Sequence, residues 1–118
     1  MQNFRNLDVW QKAHRLTLSV YRNTGTFPKS EVYGLTSQIR RSAASIAENI
    51  AEGCGKPGDH EFARYIGIAL GSLSELDYEL LLAYELEYFS ETTYQDLYKQ
   101  LVEIRRMLIG LHKTVRNG

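Results

Sequence analysis

Cysteine and proline are both scarce in this 118-residue chain: Cys54 stands alone, and only Pro28 and Pro57 interrupt the backbone. A single thiol excludes an intramolecular disulfide, and its Gly-rich loop holds no second thiol with which to bind a metal. Few prolines leave room for long uninterrupted helices. No apolar run approaches the roughly 20 residues of a membrane-spanning helix. The opening MQNFRNLDVW lacks the basic start and apolar stretch of a signal peptide. A soluble protein of a reducing cytoplasm, with no membrane partner, is the expectation. Net charge is missing too, since 14 Lys and Arg balance 14 Asp and Glu, which argues against polyanion binding by bulk charge. What remains is 43% hydrophobic and 24% charged, ordinary for one globular domain over residues 1–118 that buries its own core.

The zero net charge hides a segregation along the chain. From Asp59 to Phe89 seven acids face the single base Arg64, a balance of −6, whereas from Lys99 onward five bases face Glu103, a balance of +4. Either acidic and basic helices attract one another, within one chain or between copies, or the basic segment is a nucleic-acid surface.

Hydrophobic spacing predicts four helices and an all-α fold. The first, about 8–23, should start at Asp8, with Gln11 three residues on completing a capping box, and end at Gly25 and Phe27-Pro28. The second, about 33–52, has a start blurred by Gly34, and it ends in the breaker Gly53-Cys54-Gly55-Lys56-Pro57-Gly58. The third, about 59–88, takes Asp59 as its cap and carries Phe62, Ile66, Ala69, Leu73, Leu76, Leu80 and Ala83 in heptad steps. The fourth, about 91–116, follows the cap Ser90 with Tyr94, Leu97, Leu101, Ile104, Leu108, Leu111 and Val115. Two heptad seams joined by a short turn argue for antiparallel neighbours with left-handed crossing. With four helices and short loops, the expectation is an up-down-up-down four-helix bundle.

The second helix is the most organised. Wound at about 100° per residue, it shows an apolar stripe (Leu35, Ile39, Ala43, Ile46, Ile50), a polar stripe (Gln38, Arg41, Ser45, Glu48, Asn49, Glu52) and a small stripe (Arg40, Ala44, Ala47, Ala51). Small side chains reward only a close-packed neighbour, so this helix should have two partners, the alanines being left for another subunit.

Three enzyme chemistries are poorly served. Di-iron bundles use Glu-x-x-His pairs, but Gln11, Pro57 and Ile109 stand three residues before His14, His60 and His112. A phosphate loop fails at Gly53 to Gly58 because the spacing is wrong, no Lys-Ser or Lys-Thr follows, and Asp59 would repel an anion. Cys54 has only His60 nearby as a base. No enzyme, cofactor, metal or small-molecule substrate is expected. Arg40-Arg41 and Arg105-Arg106 instead offer planar forks suited to phosphate or carboxylate. Lys99, Arg106 and Lys113 recur every seven residues with Arg105 and Arg116 beside them, a stripe that could follow a nucleic-acid backbone, although few aromatics accompany it.

The segments Phe4-x-x-Leu7-x-Val9-Trp10, Tyr33-Gly34-Leu35, Gln38-Ile39-Arg40-Arg41, Ser45, Asn49-Ile50-Ala51-Glu52-Gly53 and Gly71-Ser72-x-x-Glu75 together resemble a family, the four-helix bundle proteins encoded in intervening sequences of bacterial 23S rRNA genes, which carry a ribosomal-protein label. The resemblance spans almost the whole chain. It implies an antiparallel bundle, a homopentameric ring, no catalytic activity, and kinship with the accessory protein of diversity-generating retroelements, whose basic surface engages nucleic acid and a reverse transcriptase. A chain without net charge departs from the strongly basic relatives. Gln38, Arg40, Arg41, Asn49 and Glu52 fall on family positions. RNA contacts are expected at Arg40, Arg41, Lys99, Arg105, Arg106, Lys113 and Arg116. Subunit or structural contacts are expected at Gln38, Ala44, Ala47, Asn49, Ala51, Glu52 and Gly53. A protein-only assembly module is the alternative.

Overall fold

A computed structural model describes residues 2–117, so the bounds Met1 and Gly118 of the expected domain lie outside it. Four helices, α1 (Asp8–Thr24), α2 (Leu35–Cys54), α3 (Asp59–Glu85) and α4 (Glu91–Asn117), form an all-α four-helix bundle measuring 45 × 23 × 20 Å. Short 3₁₀ turns at Phe4–Asn6 and Lys29–Glu31 precede α1 and α2. Each helix packs on its neighbours in sequence and α1 closes on α4, while the backbones of the diagonal pairs α1/α3 and α2/α4 stay apart. This is the square of an up-and-down bundle.

All seven residues of the α3 seam are buried, as are Leu97, Leu101, Ile104 and Leu108 of α4, with Tyr94, Leu111 and Val115 packed at the edges of the core. The apolar stripe of α2 lies opposite, with Ile39, Ile46 and Ile50 fully enclosed. Each such side chain contributes about 1.5 to 3 kcal/mol through removal from water.

The helix ends depart from the expected caps in two of three places. Leu7, not Asp8, is the first cap residue and provides no side-chain bond; Asp8 lies in the first turn, and the Gln11 amide donates to the Arg5 carbonyl (2.8 Å) rather than closing a capping box. The 3₁₀ turn of Phe4–Asn6 explains this, because it delivers a backbone carbonyl where the box would need an amide. Gly58, with φ of +81°, caps α3 in place of Asp59, since only a residue tolerant of that conformation turns the chain sharply enough. Ser90 does cap α4, accepting from the Thr93 amide at 3.1 Å.

α2 begins at Leu35 because Glu31, itself held by the distant Tyr88, serves its N-terminus. Glu31 accepts from the Leu35 amide at 3.3 Å with one carboxylate oxygen and from the Tyr88 hydroxyl at 2.9 Å with the other. A Cβ on Gly34 would lie 2.8 Å from that carboxylate, so glycine is what lets Glu31 reach over. The bond to Glu31 also raises the Tyr88 phenol above its ordinary pKa. Phe27 packs on Tyr88 and Phe89 at centroid separations of 5.2 and 5.0 Å, joining the α1–α2 and α3–α4 loops at one end of the bundle.

Candidate nucleic-acid interface

The structure places the three stripes of α2 against three different surroundings. The small stripe faces α1 of the same chain: Ala47 is buried, and Arg40 donates from Nε to Thr24 Oγ1 (2.8 Å) and from Nη2 to the Tyr21 carbonyl (3.3 Å), its guanidinium 4.8 Å over the Tyr21 ring. Arg40 therefore neutralises the carbonyl end of α1, where a cation is favoured by the helix dipole. The second partner of α2 is met within the chain, and only Ala44 and Ala51 remain on open grooves.

The polar stripe divides. Ser45 and Asn49 turn toward α3, with Ser45 Oγ 2.8 Å from Ser72 Oγ and Asn49 Nδ2 donating to the Ser45 carbonyl (2.8 Å) and hydroxyl (3.0 Å). A Cβ on Gly53 would lie 2.9 Å from Tyr65 Cβ and 3.0 Å from Phe62 Cδ1, so the end of α2 approaches α3 at a distance only glycine allows. Gln38, Arg41 and Glu52 stay exposed; Arg41 donates to Ser37 Oγ (3.3 Å) and Glu52 pairs with Lys56 (3.5 Å).

The basic residues separate as cleanly. Arg105 forms a half-buried ion pair with Asp77, tying α4 to α3. Lys99, Arg106, Lys113 and Arg116 are exposed and, among the described residues, form no ion pair. Because α2 and α4 are diagonal, Arg40-Arg41 and the α4 stripe do not share one face of a single chain.

α1 supplies what α2 does not. Lys12, Arg15, Asp96, Lys99, Gln100, Glu103 and Ile104 line an open groove of about 340 Å³ between α1 and α4. Lys12 pairs with Glu103 at 2.9 Å, and the Glu103 carboxyl is lowered first by that bond and further by the fields of Arg106 and Lys99. Two acids, Glu103 and Asp96, thus stand among Lys12, Arg15 and Lys99 on the groove wall. The signal for the α1 contribution lay in its composition: Asp8 is the only acid of α1, against Lys12, Arg15 and Arg22.

The other chemistries find little geometry. Among the described residues no group of three or more His, Cys, Asp or Glu side chains is placed to hold a metal ion. His14 stacks on Trp10 with centroids 5.1 Å apart. Cys54 is enclosed, and burial raises its thiol above the ordinary value, opposite to the shift that activates a nucleophile. Asp59 and Glu61 fill the first turn of α3, where an anion would otherwise bind. No helix is long and apolar enough to cross a membrane.

Comparison with known proteins agrees with the bundle. Residues 5–110 match the family described as 23S rRNA-intervening sequence protein. A solved structure from Bacteroides thetaiotaomicron, a protein of unknown function from the S23 ribosomal protein family, superposes with a TM-score of 0.82 at 25% identity, covering 89% of this chain and 95% of that one. Among curated proteins none matches. The sequence motifs, the square of four helices and the match over residues 5–110 agree: the chain belongs to the 23S rRNA-intervening sequence protein family.

Proposed function

We propose that this protein is a non-enzymatic helical scaffold that binds structured RNA through the face shared by α1 and α4. One observation carries the reading: Lys99, Arg106 and Lys113 rise along the exposed side of α4, and Lys12 and Arg15 of α1 line an open groove with Lys99. A row of unpaired cations along one helix suits a polyanion better than any single acid, and the family description, which names 23S rRNA, agrees with such a ligand. Arg40 and Arg105 are withdrawn from the RNA-contacting set, because their guanidinium groups are used inside the chain.

Assembly into a homo-oligomer belongs to the same proposal, with a pentamer as the expectation taken from the resemblance. It is supported by outward apolar residues of α3: Ile68 is 41% exposed, Tyr78 63% and Leu81 39%. If the protein were instead a protein-only adapter, the α1–α4 cations would serve another polypeptide. Affinity for an RNA hairpin measured against salt separates the two. A phosphate-mediated complex weakens with a log-log slope of roughly 0.9 per neutralised phosphate, and replacing Lys99, Arg106 and Lys113 together by Gln lowers that slope by roughly 2 to 3. Absence of binding at low salt overturns the RNA reading.

A further inference from the structure

The α4 stripe is better supplied with aromatic rings than its sequence suggests, because α3 brings one to it. Tyr84 of α3 and Tyr94 of α4 stack with centroids 4.5 Å apart and planes 7° from parallel, and Tyr98 continues the stack from Tyr94 at 6.0 Å and 26°. Tyr94, shared by both contacts, is the middle ring. The inner two rings are half-buried, whereas Tyr98 is 36% exposed, and no further aromatic ring among the described residues lies against it. Tyr98 directly precedes Lys99, and Arg106 follows Lys99 by seven residues, about 10 Å along the helix. Asp77 of the facing helix, whose charge acts on Tyr94, is paired with Arg105. Gluing α3 to α4 needs only the Tyr84–Tyr94 pair. A third ring, half in water and beside unpaired cations, has the makings of a platform for one more ring.

We infer that the exposed end of the Tyr84–Tyr94–Tyr98 stack is a stacking site for one unpaired nucleobase of RNA, with Lys99 and Arg106 holding the flanking phosphates. The inference rests on the RNA reading above and narrows it: the segment engaged here is a loop or single strand rather than uninterrupted duplex. Stacking on a tyrosine ring tolerates any base, so little sequence preference accompanies it.

The test compares a labelled oligouridylate with a fully paired RNA duplex on the intact protein. Tyr98→Leu should weaken oligouridylate binding about 5- to 100-fold and leave duplex binding unchanged, while Tyr98→Phe, which keeps the ring, retains wild-type affinity. Tyr98→Trp adds a direct readout that survives even if the Leu variant folds poorly: its fluorescence, measured above the Trp10 background, should be quenched by saturating oligouridylate. Equal losses for both RNAs, no loss for either, unquenched fluorescence of Tyr98→Trp, or an altered oligomeric state of Tyr98→Leu by light scattering would each overturn the stacking site. The Lys99→Gln, Arg106→Gln, Lys113→Gln variant keeps the two levels apart. If it weakens both RNAs while Tyr98 variants are silent, only the stacking site falls; if it changes neither, the cationic reading falls with it.

Discussion

The α2–α3 seam and the α1–α4 seam are built from opposite materials. Along α2–α3 the α2 residues are short: Ser45 meets Ser72, Asn49 folds back on its own helix, and Gly53 sits against Phe62 and Tyr65. Along α1–α4 they are long and charged, with Lys12, Arg15, Lys99 and Glu103 standing around a groove of about 340 Å³. Small side chains bring backbones together and satisfy their polar groups locally. Long ones leave an opening and point their charges into it. One bundle thus has a seam built for closeness and a seam left open and charged, so the same substitution chemistry should have different consequences on the two sides.

The largest effect should come from breaking closeness where it is tightest. Gly53→Leu places a side chain where even a Cβ is within 3.0 Å of two α3 residues, and should cost about 3 kcal/mol of stability through overpacking, read by urea denaturation. RNA affinity per folded molecule should be unchanged. A tolerated leucine would show that α2 and α3 can separate freely, and the contrast between the seams would collapse.

Arg40→Ala comes next, at about 2 kcal/mol, because it removes two bonds and a ring contact at the carbonyl end of α1. Binding of RNA should again be unaffected. A loss of RNA affinity without a loss of stability would return Arg40 to the interface.

A smaller and pH-dependent effect is expected at Glu79, the one residue that fits the close seam badly. Its Oε1 is buried without a partner, and burial raises its carboxyl, with a bond from Ser42 opposing and Glu75 adding to the rise. The folded chain therefore holds this proton more tightly than the unfolded one. Its contribution is most favourable when the group is protonated and is lost as pH rises from the ordinary carboxylate range through the raised value. Glu79→Gln should accordingly stabilise the protein by about 1 kcal/mol at neutral pH, and the gain should vanish below about pH 4, where both forms are uncharged. A gain independent of pH would mean that packing, not charge, is at fault.

The close seam was more legible in sequence than the open one. Heptad spacing located the α3 and α4 cores because a buried helix face repeats every three or four residues whatever surrounds it. Cap chemistry was less legible: Asp8 and Asp59 have the right side chains, but a preceding 3₁₀ turn and the positive φ of Gly58 decided the ends. The role of Glu31, reaching both Leu35 and Tyr88, depends on a contact across 57 positions that no local pattern encodes. The same holds for the groove. Arg40-Arg41 and Arg105-Arg106 read as equivalent pairs, yet which arginine is consumed inside depends on what lies opposite, and Lys12 and Arg15 join the face only because α1 closes on α4.

The smallest change probes the open seam at its own internal competitor. Glu103 is the acid around which Lys12, Arg106 and Lys99 gather, and a phosphate entering the groove has to displace it from Lys12. Both partners of that pair are substantially exposed, so the bond itself contributes little to stability. Glu103→Gln should therefore leave the melting temperature nearly unchanged while freeing Lys12, raising affinity for an RNA hairpin at low salt and steepening its salt dependence by roughly 0.9. The opposite pattern, a clear loss of stability with no gain in affinity, would mean that Glu103 holds the seam together rather than holding it ready. The α1–α4 groove would then be structural in the same sense as Ser45 and Gly53 are.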